Sequence, residues 1–136
     1  MKRVLYLFAL LAGFLLLTGM GGMEERPSDR VPTPENNFSA TFIDKQDVVT
    51  KITRVSRQGE VFLLGKKGKG TVTVSFKKIN TVEFKNGKNM MTAVIELTNG
   101  KNIELKVDKN HTFYGKVDFG TFQTETADLM KIIFNH

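Results

Sequence analysis

The chain has 136 residues, a formal net charge of +6, 40% hydrophobic residues and 25% charged residues, the balance of a folded domain and not of a disordered chain. It contains no Cys, which excludes disulfides, thiolate nucleophiles and Cys-ligated zinc or iron–sulfur centres. Its 2 His, His111 and the terminal His136, are too few for a His-rich metal site, and no cofactor is expected.

Lys2 and Arg3 precede an unbroken apolar run of 14 residues, Val4 to Leu17, followed by Thr18, Gly19, Met20, Gly21, Gly22 and Met23. A short basic start, an apolar stretch and a small-residue tail form the pattern of a secretory signal peptide. The basic pair stays on the cytoplasmic side while the apolar segment enters the membrane. Gly19 and Gly21 fit the small-residue positions before a cut at the Gly21–Gly22 bond. The competing reading of residues 1–23 is an uncleaved anchor, because the uncharged stretch Val4 to Met23 is long enough to cross about 30 Å of hydrocarbon. Leu16-Leu17-Thr18-Gly19 resembles the start of a lipobox, but Met20 stands where lipidation needs Cys. Either reading places the remainder outside the cytoplasm, in the periplasm or anchored in the inner membrane facing it. Residues 24–37 hold Pro27, Pro32 and Pro34, all 3 prolines of the chain, among Glu24, Glu25, Asp29 and Glu35. They are expected to be an extended linker.

From Phe38 the apolar residues recur at period two, the period of strands. Ile103, Leu105 and Val107 alternate with Glu104 and Lys106, and Val72 and Val74 alternate with Thr71, Thr73 and Ser75. Turn signals separate the runs at Gln58-Gly59, Asn86-Gly87, Asn99-Gly100 and Asp108-Lys109-Asn110. The spacing predicts strands near 38–43, 48–56, 61–65, 70–76, 81–84, 91–98, 101–107, 111–116, 119–125 and 130–134, with no long helix in 38–136. The expected core is Phe62 or Leu63 with Val72, Val74, Ile79, Val82, Phe84, Val94, Ile103, Leu105, Phe113, Phe122, Leu129, Ile132 and Phe134.

The stretch Val61 to Phe84 aligns without a gap on His111 to Phe134 at an offset of 50. Gly65 falls on Gly115, Lys66 on Lys116, Gly70 on Gly120, Thr71 on Thr121 and Phe84 on Phe134. Two repeats follow, 38–84 and 90–134. Each gives a hairpin, a second hairpin, a short turn and a closing strand. Ile79 and Val82, like Leu129 and Ile132, have the spacing of a single 3₁₀ turn before that strand. The expected fold is all-β, a duplicated five-strand small-barrel motif of SH3-like or Sm-like order. A unit of this size is insecure alone, so the copies are expected to share one core as a sandwich or fused barrel.

The pattern Gly-x4-Gly-x-Val-x-Val-x4-Ile-x2-Val-x-Phe, at Gly65 to Phe84, resembles small exported β-proteins of unknown function from Gram-negative bacteria. The second copy, Gly115 to Phe134, is degraded, with Thr124 in place of a valine. The resemblance spans about Phe38 to Phe134. It implies a fold and a compartment, and no catalytic residues.

Candidate chemistry is sparse. His111 has no nucleophile in its motif, and the four Ser lie outside any nucleophile elbow. An enzyme, a small hydrolase or lyase, would need His111 with a carboxylate, for which Asp118 and Asp128 are the candidates. His136 is expected to fray. Asp44 and Asp47 fit a hairpin turn better than a calcium loop, whose other ligands are missing. Gly65-Lys66-Lys67-Gly68-Lys69-Gly70 is the strongest candidate, a loop of freed amides and three ammonium groups able to hold an anion. It is no P-loop, since Ser or Thr does not follow the Lys. The second copy, Gly115-Lys116-Val117-Asp118-Phe119-Gly120, keeps the glycines and loses the charge. Gly65, Gly70, Gly115 and Gly120 therefore read as structural, and Lys66, Lys67 and Lys69 as the variable part.

Charge is uneven: residues 51–88 carry 10 basic and 2 acidic side chains, whereas 24–50 and 89–136 are slightly acidic. In an exported protein this favours an anionic lipid or glycan surface, or an envelope protein, as partner, and makes nucleic acid unlikely to be one. The expected function is a non-enzymatic binding or structural module.

Overall fold

A computed structural model describes residues 37–136; the signal-peptide or anchor segment and the linker up to residue 36 lie outside the described residues. Ten strands follow in chain order: β1 (Ser39–Asp44), β2 (Val49–Arg57), β3 (Phe62–Lys67), β4 (Gly70–Ser75), β5 (Ile79–Lys85), β6 (Met91–Leu97), β7 (Asn102–Val107), β8 (Thr112–Val117), β9 (Gly120–Glu125) and β10 (Leu129–Asn135). One-turn 3₁₀ helices, Phe76–Lys78 and Thr126–Asp128, precede β5 and β10. The described residues contain no α-helix. All ten strands join one antiparallel sheet, ordered β4-β3-β7-β6-β5-β10-β1-β2-β8-β9, curled into a half-barrel. This is one sheet, so the facing-sheet sandwich does not apply.

From β3 to β5 and from β8 to β10, element bounds repeat at an offset of 50. If β1 to β5 are exchanged for β6 to β10, the strand order reads the same in reverse. The registers agree with this. Val82 faces Ile132 across β5 and β10, flanked by Thr81 on Ile133 and Glu83 on Lys131. Ala40 pairs with Phe134 and Ala93 with Phe84. Lys66 on β3 pairs with Lys106 on β7, as Lys116 on β8 pairs with Thr53 on β2. A pseudo-two-fold axis therefore passes between Val82 and Ile132, which are both fully buried.

The halves are interleaved in a way the repeat alone does not reveal. The β3–β4 hairpin docks on β7, and the β8–β9 hairpin docks on β2. Each repeat thus gives its second hairpin to the other. Gly65 and Gly115 lie where these hairpins cross. A Cβ on Gly65 would lie 2.8 Å from Leu105 Cβ and 3.0 Å from Lys106 O, and one on Gly115 would collide with Ile52 Cγ2 and meet Thr53 O at 3.0 Å. Both therefore need hydrogen in place of a side chain.

One cluster holds the core, with Phe42, Phe76, Phe113, Ile79, Leu129 and Ile132 among its best buried members. Of the expected core, Val72, Ile103 and Phe122 are only partly buried and pack on its margin. Val94 is misplaced: Met91, Ala93 and Ile95 face inward instead, leaving Val94 half-buried on the other face. The run Met91 to Ile95 has no charge to fix its phase, so pairing with β5 and β7 decides it. Asn86-Gly87 is not a two-residue hairpin turn either, since residues 86–90 form the whole β5–β6 connection. Gln58 and Gly59 do form a tight turn, with φ of 50° and 89°. Asp44 closes its turn by accepting Gln46 N–H at 2.8 Å and Val48 N–H at 3.0 Å, with Asp47 at φ 63°. His136 does not fray: its Nε2 lies 2.7 Å from Ile79 O and its ring stacks on Phe134.

Candidate anion-binding site

The basic segment is more ordered than a flexible loop. Lys66 and Lys67 are the last residues of β3, and only Gly68-Lys69 turns the chain into β4. Strand alternation sends Lys66 and Lys67 to opposite faces. All three lysines are exposed at the tip of the hairpin that ends the sheet. Among the described residues none of them has a carboxylate within ion-pair distance. Gly68, at φ +60°, provides the turn, and Lys67 pairs with Gly70 across it.

Lys66 also has a partner that sequence order hides. It faces Lys106 across the β3–β7 junction. Lys66 Nζ donates to Thr71 Oγ1 at 2.8 Å, and Lys106 Nζ donates to Thr92 Oγ1 at 2.7 Å. The strands pair at this one position. Beside it opens a concavity of about 240 Å³ lined by Leu64, Lys66, Met90, Lys106, Asp108 and His111.

His111 enters from the turn before β8. Its carbonyl accepts the Thr126 N–H at 2.9 Å and the Thr126 hydroxyl at 2.8 Å. Its Nε2 lies 3.9 Å from Asp108 Oδ2. Burial holds the His111 pKa below its ordinary value; the charge of Arg57 pushes the same way and Asp108 opposes. Arg57 is itself buried, donates from Nε to Phe62 O at 3.1 Å and packs over the Phe62 ring. The neutral imidazole is thus favoured on folding. Between the depressed native pKa and the unfolded value near 6.5 the unfolded chain binds more protons. His111 therefore contributes stability that is present above about pH 6.5 and lost as pH falls through that window. Urea unfolding at a series of pH values is expected to show this loss, and His111→Gln to flatten it.

Asp118 and Asp128, the carboxylates suggested for His111, are not its partners in the fold. Asp118 lines a separate groove of about 690 Å³ with Lys51, Lys116 and Phe119. Asp128 lines another of about 370 Å³ beside Asp44 and Lys45. The carboxylate beside His111 is Asp108, three residues before it. Phe119 and Lys106 also escaped sequence reasoning. Phe119 is 93% exposed at the tip of the β8–β9 hairpin, the counterpart of Lys69. Lys106 reads as one more outward strand residue, and only the exchange of hairpins sets it opposite Lys66.

A protein-family model described as "Uncharacterised protein" matches residues 34–136. No curated protein and no solved structure matches the chain.

Proposed function

This chain belongs to that family, and we propose that it is an exported, non-enzymatic β-module that contacts an anionic component of the cell envelope through Lys66, Lys67 and Lys69. The observation that carries this reading is the placement of those lysines: exposed, at the tip of the sheet's terminal hairpin, with no carboxylate paired to them among the described residues. Uncompensated like charges this close repel, and an anionic surface relieves the repulsion. The apolar run of residues 4–17 supports export, to the periplasm or to the periplasmic face of the inner membrane. Export in turn makes nucleic acid an unlikely partner.

The strand order supports an SH3-like or Sm-like reading of each half. β10-β1-β2-β8-β9 and β5-β6-β7-β3-β4 both run closing strand, first hairpin, second hairpin. Each such motif would be a composite of the two repeats. A fold of that kind carries no particular activity. The edges of the sheet, β4 and β9, offer a second mode of contact. β4 contains neither charge nor proline, the usual guards against an added strand, so an envelope protein could pair there.

The alternative, a small hydrolase or lyase, would rest on His111 and Asp108. Their 3.9 Å separation is long for a working acid–base pair, and neither Ser nor Cys lines their concavity. Binding is therefore the better reading.

Replacing Lys66, Lys67 and Lys69 together by Gln is expected to leave stability unchanged or slightly raised. It should reduce the preference for anionic over neutral vesicles by about 1 kcal/mol per Lys at low salt. A triple variant with the parent's preference would reduce the hairpin tip to a solvated turn.

A further inference from the structure

We propose that the concavity beside the β3–β7 junction is a binding site for a phosphate-class dianion, held between Lys66, Lys106 and His111. Lys66 and Lys106 are direct cross-strand partners. Their hydrogen bonds to Thr71 and Thr92 draw the two ammonium groups outward along the cross-strand row Thr71-Lys66-Lys106-Thr92. Like charges directly opposite one another destabilise a strand pair. Neither lysine has a carboxylate within ion-pair distance among the described residues. The only carboxylate in the lining, Asp108, already accepts the Asn110 N–H at 2.8 Å and faces His111. Two lysines without an ion-pair partner therefore border one small space, and their flexible side chains can swing from Thr71 and Thr92 toward an anion placed between them.

The pseudo-two-fold supplies an internal comparison. At the other junction Lys116 keeps the place of Lys66, but Thr53 stands where Lys106 does, and the position 50 before His111 is Val61. The sheet is thus built equally well without the second lysine and the histidine. Their presence in one half alone is not required by the architecture. At about 240 Å³ the concavity is smaller than pockets for drug-sized ligands, about 300–1,000 Å³, and fits a headgroup. A phosphomonoester matches it: its double negative charge and that of Asp108 are balanced by Lys66, Lys106 and a His111 that takes up a proton on binding, its oxygens accept from all three, and Leu64 and Met90 border its ester carbon. Such a group comes either as a free phosphomonoester or on a phosphatidate lipid. The proposal rests on the anionic-contact reading only through Lys66, because Lys67 and Lys69 lie outside the concavity lining.

The test follows the ring signals of His111 by NMR in the full chain, held in an uncharged maltoside detergent, as glycerol phosphate replaces chloride at constant ionic strength. A saturable response is expected, with the His111 midpoint moving up by about half a pH unit or more. Lys106→Gln should weaken binding about tenfold or more, while Lys67→Gln/Lys69→Gln should retain it. If glycerol phosphate has no effect, but vesicles with phosphatidate bind better than phosphatidylglycerol vesicles of equal surface charge and Lys106→Gln removes that difference, the site stands and its source is lipid. If Lys106→Gln matches the parent in both experiments, the site is overturned, and the hairpin-tip reading is then judged separately by Lys67→Gln/Lys69→Gln on vesicles.

Discussion

Phe76→Ala is expected to lower the unfolding free energy by about 3–5 kcal/mol, the cost of emptying a large buried aromatic site. Phe76 has no exposed surface. It opens the 3₁₀ turn before β5, meets Phe38 edge-on at 5.7 Å and lies 4.8 Å from Phe134. The turn is pinned at its start by Phe76 N–H donating to Val61 O at 3.0 Å and by Ser75 Oγ accepting Lys77 N–H. The surroundings are thus poorly able to collapse into the space. At the equivalent position of the second repeat stands Thr126, equally buried but tied to His111 O through both its amide and its hydroxyl. Thr126→Val should cost less, about 1–3 kcal/mol, for one lost buried hydrogen bond. Chemical denaturation of the two variants measures the contrast. A Phe76→Ala loss below about 1 kcal/mol would mean the turn is not packed as described.

Gly115→Ala is expected to destabilise by about 1–3 kcal/mol or more, as overpacking does in a dense interior. The new methyl would press on Ile52 Cγ2 and sit 3.0 Å from Thr53 O. The isoleucine can rotate, but a backbone carbonyl fixed in the β2–β8 pairing cannot. Gly65→Ala should behave alike, since Leu105 Cβ and Lys106 O stand in the equivalent places. Gly70→Ala is the control, because its nearest neighbour would be Lys67 O at 3.5 Å, an ordinary contact. Thermal melts of the three variants give the ranking. Equal losses at Gly65, Gly70 and Gly115 would mean that close approach of the crossing strand does not set the cost at Gly65 and Gly115.

The ten strands were legible because period-two alternation and turn residues are local signals. A 3₁₀ turn before each closing strand is also expected from the sequence, but the spacing that suggests it, Ile79 to Val82 and Leu129 to Ile132, lies inside β5 and β10; the turns are Phe76–Lys78 and Thr126–Asp128. The 50-residue repeat, read from Gly65, Gly70 and their counterparts, also recurs in the element bounds from β3 to β5 and β8 to β10. The exchange of hairpins was not legible. Nothing in Phe62 to Ser75 says whether that hairpin lies on β2 or on β7, since both present an outward polar and inward apolar face. Lys106 stayed hidden for the same reason. It is ordinary in its own strand and acquires its neighbour only when β3 crosses, whereas Asp108 follows β7 and meets His111 within one local turn. Val94 failed for a different cause, an apolar run whose phase is set by its partners. Lys66, Lys67 and Lys69 were visible as a charge cluster, but Gly65 to Gly70 looked like an open loop. Pairing of Lys66 with Thr71 and of Lys67 with Gly70 shows that the strands continue almost to the tip.

The central claim, contact with an anionic envelope surface, is tested most directly by cosedimentation of the full chain with anionic and neutral vesicles across a salt series. The parent is read beside the variant with Lys66, Lys67 and Lys69 replaced by Gln, which keeps residues 1–23, so that the apolar run and the basic Lys2 and Arg3 contribute equally to both. The account predicts a stronger preference for the anionic vesicles in the parent than in the variant at low salt, with the advantage shrinking as the screening length falls from about 30 Å at 0.01 M to about 8 Å at 0.15 M. Equal preference in the two proteins, or an advantage that salt leaves untouched, would contradict it.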